Sequence, residues 1–196
     1  IVEAERPVFV NVRHKSTSQG EILSSPGRKG LGTEFRAVFA RNVKGPGNNA
    51  RGSFISVMAT QPGTTTITFD AFKPGVKLHG LADANGDGRS DTTTITLSQY
   101  QSWIIGEQDA TYAGTAPLAD LNGTRVTSDK LVAVSAGYFL GGPNASSGQD
   151  IGLDQLVPTE LGGTAYAFIK GNAAASNDLE TITVVALEDD THLFVK

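Results

Sequence analysis

Phe54-Ile55-Ser56-Val57-Met58-Ala59, then Gln61-Pro62-Gly63, then Thr65-Thr66-Ile67-Thr68-Phe69, decide the class of the fold. On both sides of the Pro-Gly step, apolar side chains alternate with small or polar ones. Each run therefore presents one apolar face with a period of two. Val, Ile, Thr and Phe suit a pleated, half-buried surface. Pro62 brings a fixed φ and Gly63 a freely positive one, which is what a chain reversal needs. The stretch reads as two strands with a turn between them.

Outward from this stretch the pattern recurs at residues 8–12, 35–40, 76–79, 92–97, 100–105, 124–127, 131–136, 166–169, 181–186 and 192–195. Gly, Pro, Asn and Asp clusters separate these runs. No stretch holds a 3.6-residue apolar period for three turns. Only Asp154-Gln155-Leu156-Val157, ahead of Pro158, reads as a single helical turn. The expected class is all-β.

The chain also matches itself at a long offset. Ile55/Ile182, Val57/Val184 and Ala59/Ala186 are separated by 127 residues, Gly32-Thr33/Gly163-Thr164 by 131, and Glu5/Asp129 by 124. The four-residue difference falls in loops, where residues 45–51 give way to the shorter 173–178. These offsets predict repeated antiparallel β units of about 125 residues, with 1–123 as the first unit and 124–196 as a partial second. A four-stranded blade needs about 40–50 residues, so one unit fits two propeller-like blades. An elongated β-sandwich is the alternative. Val57 and Val184 are then expected at equivalent buried positions. The chain begins Ile1-Val2-Glu3 and stops at His192-Leu193-Phe194-Val195-Lys196, inside a strand-like run, so it is expected to be a piece of a longer, processed protein.

Composition removes several functions. With 196 residues and a net charge of −4 from 16 basic and 20 acidic residues, the scattered charge offers no basic surface for nucleic acid or an anionic membrane. No apolar run approaches the roughly 20 residues that span a bilayer. The absence of cysteine removes disulfides, thiol nucleophiles and thiolate-held metals. No serine stands in a G-x-S-x-G frame, and there is no phosphate-binding glycine loop. His14, His79 and His192 lack ligand spacing, and Arg13-His14-Lys15 forms a small cationic patch. Asp150 and Asp154 form a carboxylate pair without a third catalytic group nearby; loop carboxylates that hold backbone N–H groups are the commoner case. No catalytic residue is expected. Asn122-Gly123-Thr124 and Asn144-Ala145-Ser146 match the glycosylation sequon, which matters only in a secretory eukaryote.

One motif carries specific chemistry: Asp83-Ala84-Asn85-Gly86-Asp87-Gly88-Arg89-Ser90-Asp91. Oxygen side chains fall at positions 1, 3, 5 and 9 with glycine at 6, the spacing by which a tight loop wraps a hard cation. Asp83, Asp87 and Asp91 would bring charge, Asn85 a neutral oxygen and Arg89 its backbone carbonyl. Thr94 stands where the longer EF-hand loop has a carboxylate, so the match is to a nine-residue cage. The expected ion is a structural calcium, stiffening a hairpin between residues 76–79 and 92–97. An Asp/Asn/Gly-rich turn without an ion is the alternative.

A series of motifs resembles a known family. Arg6-Pro7-Val8, Val12-Arg13-His14-Lys15, Gln19-Gly20 and Gly30-Leu31-Gly32-Thr33-Glu34-Phe35 come first. Ser56-Val57-Met58-Ala59-Thr60 and Gly123-Thr124-Arg125-Val126-Thr127-Ser128-Asp129-Lys130 follow, then Asp150-Ile151-Gly152-Leu153-Asp154-Gln155-Leu156-Val157-Pro158 with Gly163-Thr164. In this order they resemble the IgGFc-binding-protein N-terminal-like domain of bacterial surface proteins. Leu131 and Gln61-Pro62-Gly63 depart from the usual pattern, away from any site named above. The resemblance implies an extracellular, cell-surface location. It further implies a non-enzymatic module of a large secreted adhesin, of the SprB type that serves gliding in Bacteroidota and leaves by type IX secretion. The implied partners are neighbouring domains of the same long chain and a surface polysaccharide or protein ligand. A passive filament spacer is the second reading, and a carbohydrate-active β-rich enzyme the third. An exposed aromatic and polar groove would favour binding, smooth charged faces the spacer, and converging carboxylates the enzyme.

Overall fold

A computed structural model describes residues 2–15, 19–40, 51–108, 120–142, 150–169 and 182–194. Among them it is all-β. The two runs read first from the sequence are β4 (Arg51–Ala59) and β5 (Thr64–Asp70), with Gly63 at φ 77° between them. They do not pair with each other but follow one another along the same edge of one long strand, Arg125–Gly141. β6 (Thr93–Ser98) pairs with β5, and β7 (Ser102–Gly106) pairs with β4. Earlier in the chain lie β1 (Asn11–Lys15), β2 (Gly20–Ser24) and β3 (Leu31–Arg36); later come β8 (Arg125–Gly141) and β9 (Asp150–Gln155).

β8 organises the sheet. Its 17 residues far exceed the usual strand of about 5–6. The expected runs 124–127 and 131–136 are thus one strand, because β3 pairs on both sides of the polar Ser128-Asp129-Lys130 step while the opposite edge passes from β5 to β4 across it. Residues 125–128 pair with β5 and residues 132–140 with β4 along one edge. β3 and then β9 pair along the other. With β6 outside β5 and β7 outside β4, the antiparallel sheet is seven-stranded and nearly closes into a barrel. β1 and β2 form a separate exposed hairpin. It is tied to β9 where the Gly20 N–H donates to Asp150 Oδ1 at 2.8 Å and Ser25 Oγ donates to Gln155 Oε1 at 2.8 Å.

The alternation places Ile55, Val57 and Ala59 of β4 on the buried face, opposite Ala136, Val134 and Val132 of β8. Ile67 and Phe69 of β5 join Phe35 and Val126, and Phe72, Val76 and Leu78 close the far side. At the rim, Arg125 grips Asp70 across the β5–β8 ladder, Nε to Oδ1 at 2.8 Å and Nη2 to Oδ2 at 2.7 Å. This fork-on-fork geometry holds β5 in register at its end.

Several expectations are corrected. Separate propeller-like blades are not shown, because one long strand carries a continuous sheet. The repeat is not shown either: Val57 is buried in β4, whereas Val184 is 56% exposed and outside any strand. The offsets matched residue types, and residue types alone do not bring a strand its partners. The same reason applies to 166–169, 182–186 and 192–194, which alternate in sequence but lie in no strand; residues 181 and 195 lie outside the described residues. The first strand is Asn11–Lys15 rather than 8–12, leaving Phe9 fully exposed. Residues 76–79 make only an isolated bridge from Leu78 to Glu107. The helical turn expected at 154–157 is instead the end of β9, followed by a short 3-10 turn at Thr159–Leu161. Its leading residues are drawn into the β8 ladder, where Asp154 stands opposite Ala136.

Candidate functional site

The loop at 83–91 lies between the segment holding Val76 and Leu78 and strand β6. Both ends are anchored in the core. Ser90 is buried; its N–H donates to the Val76 carbonyl at 2.8 Å and its Oγ accepts the Leu78 N–H at 2.9 Å. The Asp91 N–H donates to the Ala82 carbonyl at 2.8 Å and closes the loop. Gly86 and Gly88 have φ of 72° and 86°, a region that L side chains rarely adopt.

Within this frame the four oxygen-bearing side chains fold onto the loop's own backbone. Asp83 Oδ2 accepts the Gly88 N–H at 3.2 Å, and Asn85 Oδ1 the Asp87 N–H at 3.0 Å. Asp87 Oδ1 accepts the Arg89 N–H at 3.2 Å, and Asp91 Oδ2 the Ala84 N–H at 2.9 Å. Arg89 does more than the sequence reading assigned it. Its Nε donates to Asp87 Oδ2 at 2.8 Å and its Nη1 to the Phe72 carbonyl at 2.9 Å. The side-chain hydrogen bond from Arg89 is the main reason the Asp87 carboxyl sits below its usual range. Lys77 Nζ lies 3.8 Å from Asp83 Oδ2. The other oxygen of that carboxylate, Asp83 Oδ1, is buried and has no hydrogen-bond partner. Among the described residues, no three Asp, Glu or His side chains converge in a geometry that holds a metal ion. The loop gathers Asp83, Asn85, Asp87 and Asp91 but turns them to its own N–H groups. One buried carboxylate oxygen remains available.

The Asp150–Asp154 pair is not assembled for acid–base work. Four residues of extended strand separate their Cα atoms by about 13 Å. Asp150 Oδ1 is already engaged by the N–H groups of Gly20 and Ile151. Asp154 is exposed on β9, and partial loss of hydration at its carboxyl lifts it above the usual range. The sequon residue Asn122 is held inside a turn, and Asn144 lies outside the described residues. Arg13, His14 and Lys15 are exposed along β1, so that patch faces solvent.

A second surface was not singled out in the sequence. β7 is the outer strand beside β4. Trp103 is 46% and Ile104 50% exposed, and Tyr100 in the preceding turn is 53% exposed with φ at 67°. Phe139 is also exposed; its ring contacts Phe54 at 4.9 Å between centroids and flanks Gly106. β7 carries neither charge nor proline, the devices that normally guard a sheet edge. A positive φ at a bulky exposed residue was the signal that sequence could not reveal, because Tyr100 follows no glycine rule.

The class that the fold defines is an all-β domain with an apolar outer strand, β7, among the described residues. The particular family follows from comparison: the model described as IgGFc binding protein matches residues 20–196, and the chain belongs to that family of binding domains. No curated protein and no solved structure matches the chain significantly. No helix among the described residues is long and apolar enough to cross a membrane.

Proposed function

We propose that the chain is a non-enzymatic, adhesin-like module that works outside the cell and grips a protein ligand along the β7 edge. The observation that carries this reading is the apolar surface of Tyr100, Trp103, Ile104 and Phe139. Trp103 and Ile104 project from opposite faces of β7, so a ligand that straddles this edge touches both, and aromatic residues dominate binding energy at contact sites. Membership in a family of binding domains supports the same conclusion. In the fuller reading, the module belongs to a large surface adhesin of gliding bacteria exported by type IX secretion, with neighbouring domains of the same chain beside it. An unguarded apolar edge favours binding over a passive spacer. The test is retention under flow of beads carrying the chain, on glass coated with serum proteins or with purified polysaccharide. Retention on protein is expected to fall at least about tenfold in W103S/I104S, the factor that 1.4 kcal/mol of lost contact produces. Circular dichroism checks that the variant is folded. Equal retention of variant and wild type, or retention on polysaccharide alone, overturns the reading.

The proposal includes a structural calcium at residues 83–91. Its support is the ligand spacing in the sequence and the unpartnered, buried Asp83 Oδ1. Binding would require Asp87 to exchange Arg89 for the ion, while the Arg89 carbonyl serves as a ligand. Three carboxylates repel one another until a cation offsets them. Calcium at about 100 times its dissociation constant adds about 2.7 kcal/mol to stability. Calorimetry is expected to show calcium-dependent heat in the wild type and none in Asp87→Ala. A silent wild type, or an unchanged mutant, removes the site.

A further inference from the structure

The chain contains two Asn-Gly pairs, Asn85-Gly86 and Asn122-Gly123. In such a pair the glycine nitrogen can reach the preceding carboxamide carbon through a five-membered ring, and no Cβ shields it. The fold treats the two pairs in opposite ways.

Asn122-Gly123 is locked. The nucleophile, the Gly123 nitrogen, donates its N–H to the Ala37 carbonyl at 2.8 Å. The carboxamide is held at both ends: Oδ1 accepts the Phe39 N–H at 2.6 Å, and Nδ2 donates to Asp120 Oδ2 at 3.0 Å. Attack would require breaking all three bonds.

Asn85-Gly86 is open. Both residues are exposed, and the position of a Gly86 Cβ has no heavy atom within 4 Å. Among the described residues, the Gly86 N–H and Asn85 Nδ2 have no hydrogen-bond partner. The one bond to the carboxamide is the Asp87 N–H donating to Asn85 Oδ1 at 3.0 Å. That donor points at the oxygen on which negative charge develops when nitrogen attacks the carbonyl carbon. A fixed donor at this place lowers the barrier.

We propose that Asn85-Gly86 is a self-modification site, converting to aspartate and isoaspartate in the folded protein while Asn122 is preserved. The Gly86 nitrogen bonds to Asn85 Cγ, the Cγ–Nδ2 bond breaks, and the displaced nitrogen leaves as ammonia with the Gly86 proton. Water then opens the cyclic imide at either carbonyl. The net change replaces an amide with a carboxylate. The aspartate product puts a fourth carboxylate beside Asp83, Asp87 and Asp91. The isoaspartate product routes the backbone through the side chain and lengthens it inside a turn. The bonds from Gly88 to Asp83 and from Ala84 to Asp91 depend on the original length. The loop thereby records the age of the molecule.

The test is peptide mass spectrometry of the intact protein held in mildly alkaline buffer with chelator, so that metal binding plays no part. The amide-to-acid mass gain is expected at Asn85 about a hundredfold faster than at Asn122, the order by which a misplaced reacting atom slows a step. In denaturant the two rates are expected to converge. Asn85→Gln, whose longer carboxamide would need a larger ring, is expected to abolish the gain in that peptide. Comparable rates at both sites in the folded protein, or slower conversion of Asn85 folded than unfolded, overturns the proposal.

Discussion

Gly137→Ala is expected to destabilise the protein by about 3 kcal/mol, the upper part of the range for overpacking a closed site. Gly137 lies in β8 opposite Leu153 of β9, next to the Tyr138–Gly152 pair. A methyl group there would overlap the Gly152 carbonyl oxygen and stand 3.0 Å from the Phe54 ring. The obstacle is backbone, so no side-chain rotation relieves it. Gly152 cannot yield either, because its own Cα faces the Phe39 and Tyr138 rings. For a chain of this size, such a loss lowers the melting temperature by about 6–12 °C. Gly20→Ala is the matched control: its added methyl meets only the His14 carbonyl at 3.8 Å. That change is expected to stay within about 0.5 kcal/mol. Thermal melts of the two variants against wild type decide the matter. A Gly137→Ala melt that coincides with wild type would show that β8 and β9 do not approach this closely.

Phe69→Ala should cost about 3–5 kcal/mol, the range for truncating a fully buried phenylalanine. Phe69 has no solvent exposure and stands between Thr93 of β6 and Val126 of β8. Phe35 pairs with the same Val126 from the other edge of β8. Removing the ring therefore opens a cavity where three strands and the core meet. The loss should appear as a lower denaturant midpoint with an unchanged slope, since the surface exposed on unfolding hardly changes. Phe9→Ala is the control of identical chemistry, because Phe9 is fully exposed. Equal midpoints for the two variants would place Phe69 outside the core.

The contrast between these two phenylalanines marks the boundary between local and tertiary information. Val8-Phe9-Val10 and Thr66-Ile67-Thr68-Phe69 both look like strand in sequence, but only the second lies in a strand ladder. β4, β5, β6 and β7 were legible as strands because alternation and turn residues act over a few neighbours, whereas their pairing, β4 with β7 and β8 and β5 with β6 and β8, joins residues far apart in the chain. β9 was not legible: Asp150-Ile151-Gly152-Leu153 is short and polar, and it becomes strand through pairing with β8. β2, rich in exposed residues, likewise owes its ladder to β1 and its position to Asp150.

The sequence by itself determined the all-β class, the turn at Gln61-Pro62-Gly63, and the oxygen spacing from Asp83 to Asp91. These follow from steric preferences of single residues and from a period of two, both local in the chain. Only the tertiary structure decided that two runs merge into β8 and that the apparent repeat leaves Val184 outside any strand. It also decided that Arg89 turns its guanidinium onto Asp87, and that Asn85 is open while Asn122 is locked by Ala37, Phe39 and Asp120. Hydrogen-bond partners far apart in sequence settle each of these. A backbone N–H or a carboxylate oxygen takes whichever partner the closed sheet brings within 3 Å or so, and spacing along the chain carries no information about that choice.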